Sequence, residues 1–211
     1  MPPDAIPAAA AAQWAELSDA LLAGLVHMLN NRVTALSVCA ELAALGDDEM
    51  IVGGVLTSEM QRLQQASALL GLLPSRPHPP EALELRPVLD DAIALHSHHP
   101  RTRLVSCDVG VEGGMQPVRA PRWALLRLLL LIVDAAKSAA SDGGRVAGIR
   151  LTSDERQARV HALTPGDAGP YGAAMATLCD GELTRQGDEL VLSLPTLRSL
   201  REREQGATTN G

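Results

Sequence analysis

The sequence predicts an α+β protein: a long helical hairpin followed by a small two-layer α/β domain. Three observations predict it. The first seventy residues carry helical periodicity alone, a proline-rich segment interrupts the chain, and strand-like and helix-like runs alternate after it. With 211 residues, the chain has room for one large domain or two small ones. There is no Phe, one Tyr and two Trp, so the core must be built from aliphatic side chains, a mix suited to packed helices.

Residues 1–10 are rich in Pro and Ala and are expected to form a disordered tail. From Ala11 onward Trp14, Leu17, Leu21, Leu25, Leu29, Val33 and Leu36 recur every three or four residues, one apolar stripe along a single helix. Gly46-Asp47-Asp48 supplies a stop and a new start. Val52, Leu56, Met60, Leu63, Ala66 and Leu70 then mark a second helix, so residues 11–73 form an antiparallel hairpin. One hairpin leaves much of these stripes wet, and pairing two copies into a four-helix bundle buries them. A homodimer is therefore expected.

Pro74-Ser75-Arg76-Pro77-His78-Pro79-Pro80 cannot be helical and reads as a stiff linker over 74–80. The α/β domain is expected over 81–195. It has helices at 86–96, 121–140 and 172–179, strands at 103–109, 146–152 and 158–163, a turn at Gly143-Gly144, and a closing hairpin that pairs 182–184 with 189–194. Residues 196–211 are charged, then polar, and are expected to be a loose tail, with 198–204 implying no chemistry.

Composition excludes several functions. Eighteen basic against 25 acidic residues give a net charge of −7, which offers no footprint for a phosphate backbone. Scarce aromatics remove the stacking platforms of single-strand binders. The longest apolar run, 128–133, is far short of the roughly 20 residues that span a bilayer, and the first residues lack a signal-peptide pattern. Cys39, Cys107 and Cys179 are odd in number without metal or CxxC spacing, which suits free thiols in a reducing cytoplasm. No nucleic acid and no membrane is expected as a partner.

Opposite the leucine stripe lie Ala20, Ala23, Gly24, His27, Asn31 and Thr34. One imidazole thus sits among small and polar neighbours, where another protein can approach it. A neutral imidazole is a good nucleophile near neutral pH; the spacing alone equally describes a solvent-exposed histidine. His96-Ser97-His98-His99 has no carboxylate or Cys at ligand spacing and reads as a polar helix end rather than a metal site. Asp90-Asp91 reads as a solvated face.

The run His27-Met28-Leu29-Asn30-Asn31-Arg32-Val33-Thr34-Ala35-Leu36 resembles the H-box of bacterial sensor histidine kinases, where the His is phosphorylated on the first helix of a dimeric hairpin. Arg127-Leu128-Leu129-Leu130-Leu131-Ile132-Val133-Asp134-Ala135-Ala136-Lys137 is similar to the N-box helix of that family's ATP-binding domain. Gly143-Gly144-Arg145-Val146 and the hairpin from Gly181-Glu182-Leu183 to Leu194-Pro195 resemble its later strands. The resemblance spans roughly residues 15–195, and it departs from the family pattern where ATP chemistry resides. Met28 replaces the acidic base, Arg32 replaces a Pro, Asp134 stands for the metal-binding Asn, and Leu130 stands for a polar residue one turn earlier. Asp167-Ala168-Gly169-Pro170-Tyr171-Gly172 breaks the glycine box, and no room remains for an ATP lid.

The resemblance therefore implies a degenerate histidine-kinase-type α/β sandwich, as in the dimeric histidine phosphotransferases. In such a protein His27 would shuttle a phosphoryl group between receiver-domain aspartates, with Asn31 assisting. It would need no cofactor or metal of its own, the receiver supplying Mg²⁺. Its partners would be response-regulator receivers and an upstream hybrid kinase. An atypical ATP-dependent histidine kinase and a non-catalytic scaffold are the alternatives.

Overall fold

A computed structural model describes residues 8–45, 49–72, 78–143 and 146–209. The break at 46–48, most of the linker at 73–77, the turn residue Gly144 and the first seven residues lie outside them. Two helices open the chain, α1 (Ala8–Ala44) and α2 (Glu49–Leu72). Then come β1 (Glu81–Leu83), α3 (Leu85–His96), β2 (Cys107–Glu112), β3 (Val118–Ala120) and α4 (Arg122–Gly143). The remaining elements are β4 (Ala147–Ser153), β5 (Gln157–Leu163), α5 (Gly169–Leu178), β6 (Glu182–Gln186), β7 (Glu189–Pro195) and α6 (Leu197–Thr209).

The main sheet has the order β2-β4-β5-β7-β6. Only β2 and β4 run parallel, in the register Cys107↔Ala147 to Glu112↔Thr152; the other pairs are antiparallel. Side chains alternate in and out along a strand. Ile149 and Leu151, Val160 and Ala162, and Leu190, Leu192 and Leu194 thus all point into the core. The other face carries Arg150 and His161, both paired with Glu189. A small antiparallel ribbon, β1 with β3, caps the side of the domain.

Helix α4 is apolar nearly all round because it is enclosed nearly all round. Leu125, Leu126 and residues 128–133 are buried against α3, the sheet and α5. The same core extends to Ala10, Leu17, Leu21 and Leu25 of α1. The first half of the long stripe is thus covered within the chain, by the α/β layer. Farther along, Val33 of the stripe is 56% exposed, and on its flank Leu22 and Val26 are 40% and 52% exposed.

Several sequence-based expectations are corrected. Helix α1 begins at Ala8, inside the expected tail, because Ala10 is buried in the core. The expected strand at 103–109 is displaced: β2 runs from Cys107 to Glu112, since pairing with β4 sets its ends, and residues 97–104 form turns. The tail expected over 196–211 contains α6. Its start is fixed by Thr196, fully buried, whose Oγ1 accepts from the Ser199 amide at 3.2 Å, and Arg198 pairs with Glu202 one turn on. Asp90 and Asp91 lie at the surface as expected, in ion pairs with Arg86 and Arg122. None of the helices among the described residues is long and apolar enough to cross a membrane.

Candidate functional site

His27 lies in the middle of α1, exposed, with no break in the helix around it. Asn31, one turn later, is also exposed, and its Nδ2 donates to His27 Nε2 at 3.2 Å. An amide that donates to Nε2 engages that nitrogen's single in-plane lone pair and goes with the ring proton on Nδ1. The two residues singled out on the first helix are therefore in contact, through the electron pair that a nucleophilic Nε2 would use.

The strip on which His27 lies is only partly free. Ala20 lines a cavity, and Gly24, one turn before His27, lies against the backbone of His98, whose carbonyl a Cβ at position 24 would strike. The turn after α3 therefore sits on α1 next to His27, and only a residue without a side chain permits the contact. On the other side Asn31 and Thr34 are open.

Below the site a charged group joins the two helices. Arg32 Nη1 reaches Glu59 Oε2 at 3.1 Å, and Arg62 Nη1 reaches Glu59 Oε1 at 2.7 Å. The Glu59 side chain is only 7% exposed. Arg32, where the kinase pattern has Pro, thus ties α1 to α2.

The N-terminal third of α1 is fastened to the α/β domain by contacts that the sequence did not reveal. Trp14 stacks on Tyr171, centroids 5.5 Å apart and planes at 13°. The Arg127 guanidinium lies 4.7 Å from the Trp14 ring centre and 5.3 Å from that of Trp123, and Arg127 Nη1 donates to the Tyr171 hydroxyl at 2.7 Å. Gln13 Nε2 donates to Ala168 O at 2.9 Å, and its Oε1 accepts from the Tyr171 amide at 3.3 Å. Gln13 therefore occupies the start of α5, the place where backbone amides would meet an anion. A Cβ on Gly169 would collide with it.

Leu130 is completely buried in the core, and Asp134 borders a cavity of 720 Å³. Asp134 Oδ1 accepts from His96 Nε2 at 2.8 Å, and His96 stacks on His99 at 5.1 Å. His96, His99 and Asp134 each offer a ligand atom within 4.8 Å of the others. The histidine run thus has a carboxylate neighbour after all, on a helix nearly forty residues away where no local spacing could reveal it. Burial first, and His96 second, push the His99 imidazole below its ordinary value; burial does the same to His98. The loop over 164–168 is short and tied down: Thr164 Oγ1 donates to Ala135 O at 3.0 Å, and Arg185 donates to Gly166 O at 2.8 Å.

No protein-family model and no curated protein sequence matches the chain. Solved structures similar to it include the Acinetobacter baumannii histidine kinase AdeS, 13% identical with a TM-score of 0.41, over 81% of this chain and 96% of that one. A bacterial phosphotransferase is 14% identical with a TM-score of 0.42, over 84% and 95% of the two chains. A histidine kinase from Burkholderia phymatum is 15% identical with a TM-score of 0.40, over 90% and 98%. At such identities and scores the likeness carries no activity across, and the chemistry has to come from the residues.

Proposed function

We propose that the protein is a homodimeric histidine phosphotransferase acting between receiver domains, with His27 as the nucleophile. The observation that carries this reading is the exposed His27 with its Nε2 lone pair held by Asn31, in the H-box-like setting of a long hairpin. The Nε2 lone pair attacks the phosphorus of a receiver's phospho-aspartate in line. A P–N bond forms as the acyl P–O bond breaks, the aspartate leaves as carboxylate, and the Nδ1 proton of the resulting imidazolium passes to water. Attack by a second receiver's aspartate reverses these changes. The receiver's Mg²⁺ offsets the charge on the transferring group, and this chain contributes chiefly position. Asn31 orients the ring before attack and releases Nε2 as the phosphoryl group arrives.

Three features favour this over ATP-dependent autophosphorylation. Met28 next to His27 cannot accept a proton. Leu130 faces the core rather than a nucleotide. Gln13 fills the start of α5 beside the broken glycine box. The half-exposed Leu22, Val26 and Val33 on one face of α1, with Val55, Leu56 and Met60 on α2, support dimerisation through the hairpin.

The test is label transfer from a purified phospho-receiver to the full chain, with light scattering on the same sample. Wild type is expected to scatter as a dimer of the 22.2 kDa chain and to acquire acid-labile, alkali-stable phosphate. His27→Ala is expected to acquire none, at unchanged melting temperature, since exposed substitutions change stability by about 0.5 kcal/mol or less. Labelling of His27→Ala at the wild-type rate would overturn the assignment, and labelling from Mg-ATP alone would replace it with the kinase reading.

A further inference from the structure

A second set of chemically capable side chains lies where α3 packs on α4, on the turn that meets α1 at Gly24. His96 is the last residue of α3, His99 stands on the turn after it, and Asp134 projects from α4. Packing of α3 on α4 brings them together, with their ligand atoms within 4.8 Å of one another. His96 is wholly buried with its Nε2 turned to the Asp134 carboxylate, so an ion between them would take the place of that hydrogen bond. Its Nδ1, on the other side of the ring, has no hydrogen-bonding partner among the described residues and takes no part in the site. His99 and Asp134 also line the 720 Å³ cavity, which gives an ion access from solvent and space for a water.

We propose that His96, His99 and Asp134 bind a divalent transition-metal ion, with Zn²⁺ the best fit, whose remaining position faces that cavity. The donor set decides the class of ion. Two imidazoles and one carboxylate suit Zn²⁺, Co²⁺ or Ni²⁺, whereas Mg²⁺ prefers an all-oxygen shell. Bonds of about 2.0–2.2 Å at tetrahedral angles place ligand atoms roughly 3.4 Å apart. The His96–Asp134 contact, at 2.8 Å, must open slightly, and His99 must swing inward by about 1 Å, a motion its place on a turn allows. Three protein ligands and one open position make an accessible site rather than a closed structural one. Glu16 on α1 and Arg101 line the same cavity. Because His98 rests on Gly24, an ion held by its neighbours would also steady the turn that supports α1.

The experiment uses the full chain stripped with chelator, titrated with Zn²⁺ by calorimetry and with Co²⁺ by visible absorption. One ion per chain is expected, with the intense ligand-field bands of a four-coordinate Co²⁺. Saturating Zn²⁺ should raise the melting temperature by about 5–10 °C at a hundredfold excess over Kd. His99→Ala and Asp134→Asn should each weaken binding by tenfold or more, while melting like wild type in chelator; His98→Ala should bind normally. If one of the two ligand variants fails to fold, the other still decides. Absence of saturable uptake at 100 µM Zn²⁺ would overturn the site. So would uptake that survives both variants, which would place the ion on another group such as His161 with Glu189, or an equal stabilisation by Mg²⁺.

Discussion

Replacing Trp14 by Ala tests whether the hairpin and the α/β layer are one folded body, on which the surroundings of His27 depend. The substitution removes the stack on Tyr171, about 1 kcal/mol, and the Arg127 contact over the ring, about 1 kcal/mol more. It also re-exposes the partners of a half-buried indole. About 100 Å² at 25 cal/mol per Å² adds roughly 2.5 kcal/mol, of which relaxation recovers part. A loss of about 3 kcal/mol results, which for a chain of this size lowers the melting temperature by about 6–12 °C. Thermal melts followed by far-ultraviolet circular dichroism give the shift. A cycle with Tyr171→Leu then isolates the ring pair, with a coupling of about 1 kcal/mol expected. A melting temperature within 1 °C of wild type, or strict additivity in the cycle, would refute the docking of α1 described here.

Two further outcomes follow from single side chains. Gly24→Ala should destabilise by about 1 kcal/mol: overpacking against the His98 carbonyl costs about 1–3 kcal/mol and outweighs a helix-propensity gain of about 1 kcal/mol. Gly54→Ala in α2, where a Cβ meets nothing within 4 Å, should stabilise by about 0.5–1 kcal/mol; urea titrations of both variants give the two signs, and equal signs would contradict the contact. Burial pushes the Cys179 thiol up to about 12, from 9.0 in its unperturbed form. Between those values the unfolded chain holds fewer protons than the folded one, so stability present below pH 9 is lost as pH rises toward 12. The slope approaches about 1.4 kcal/mol per pH unit, and Cys179→Ala should remove that component from the urea midpoints; a wild-type slope in the variant would contradict the assignment.

The first five helices and the closing β6–β7 hairpin were legible because their signals are local, whereas the sheet order was not. The leucine stripe of α1, the proline before α4 and the Gln186-Gly187-Asp188 turn each act over a few residues. His27 and Asn31 share one helix face, so their contact also follows from spacing. What stayed hidden depends on distant partners. Gln13 meets Ala168 across 155 residues, Glu59 meets Arg32 across 27, and Asp134 meets His96 across 38. The helix α6 escaped notice for another reason: its few apolar side chains give no stripe, and only the Thr196 cap announces it.

The Arg32–Glu59–Arg62 group has a mechanical consequence. Sliding α1 past α2 by one turn, about 5.4 Å, would carry Arg32 out of reach of Glu59 and leave a nearly buried carboxylate with a single exposed cation. Because Glu59 keeps Arg62 and Arg32 is a third exposed, losing this one contact costs about 1 kcal/mol, roughly a fivefold preference for the observed register. The group works as a detent on the hairpin: it favours one height of His27 along the axis, and a partner that docks at that height meets the imidazole where it mostly stands.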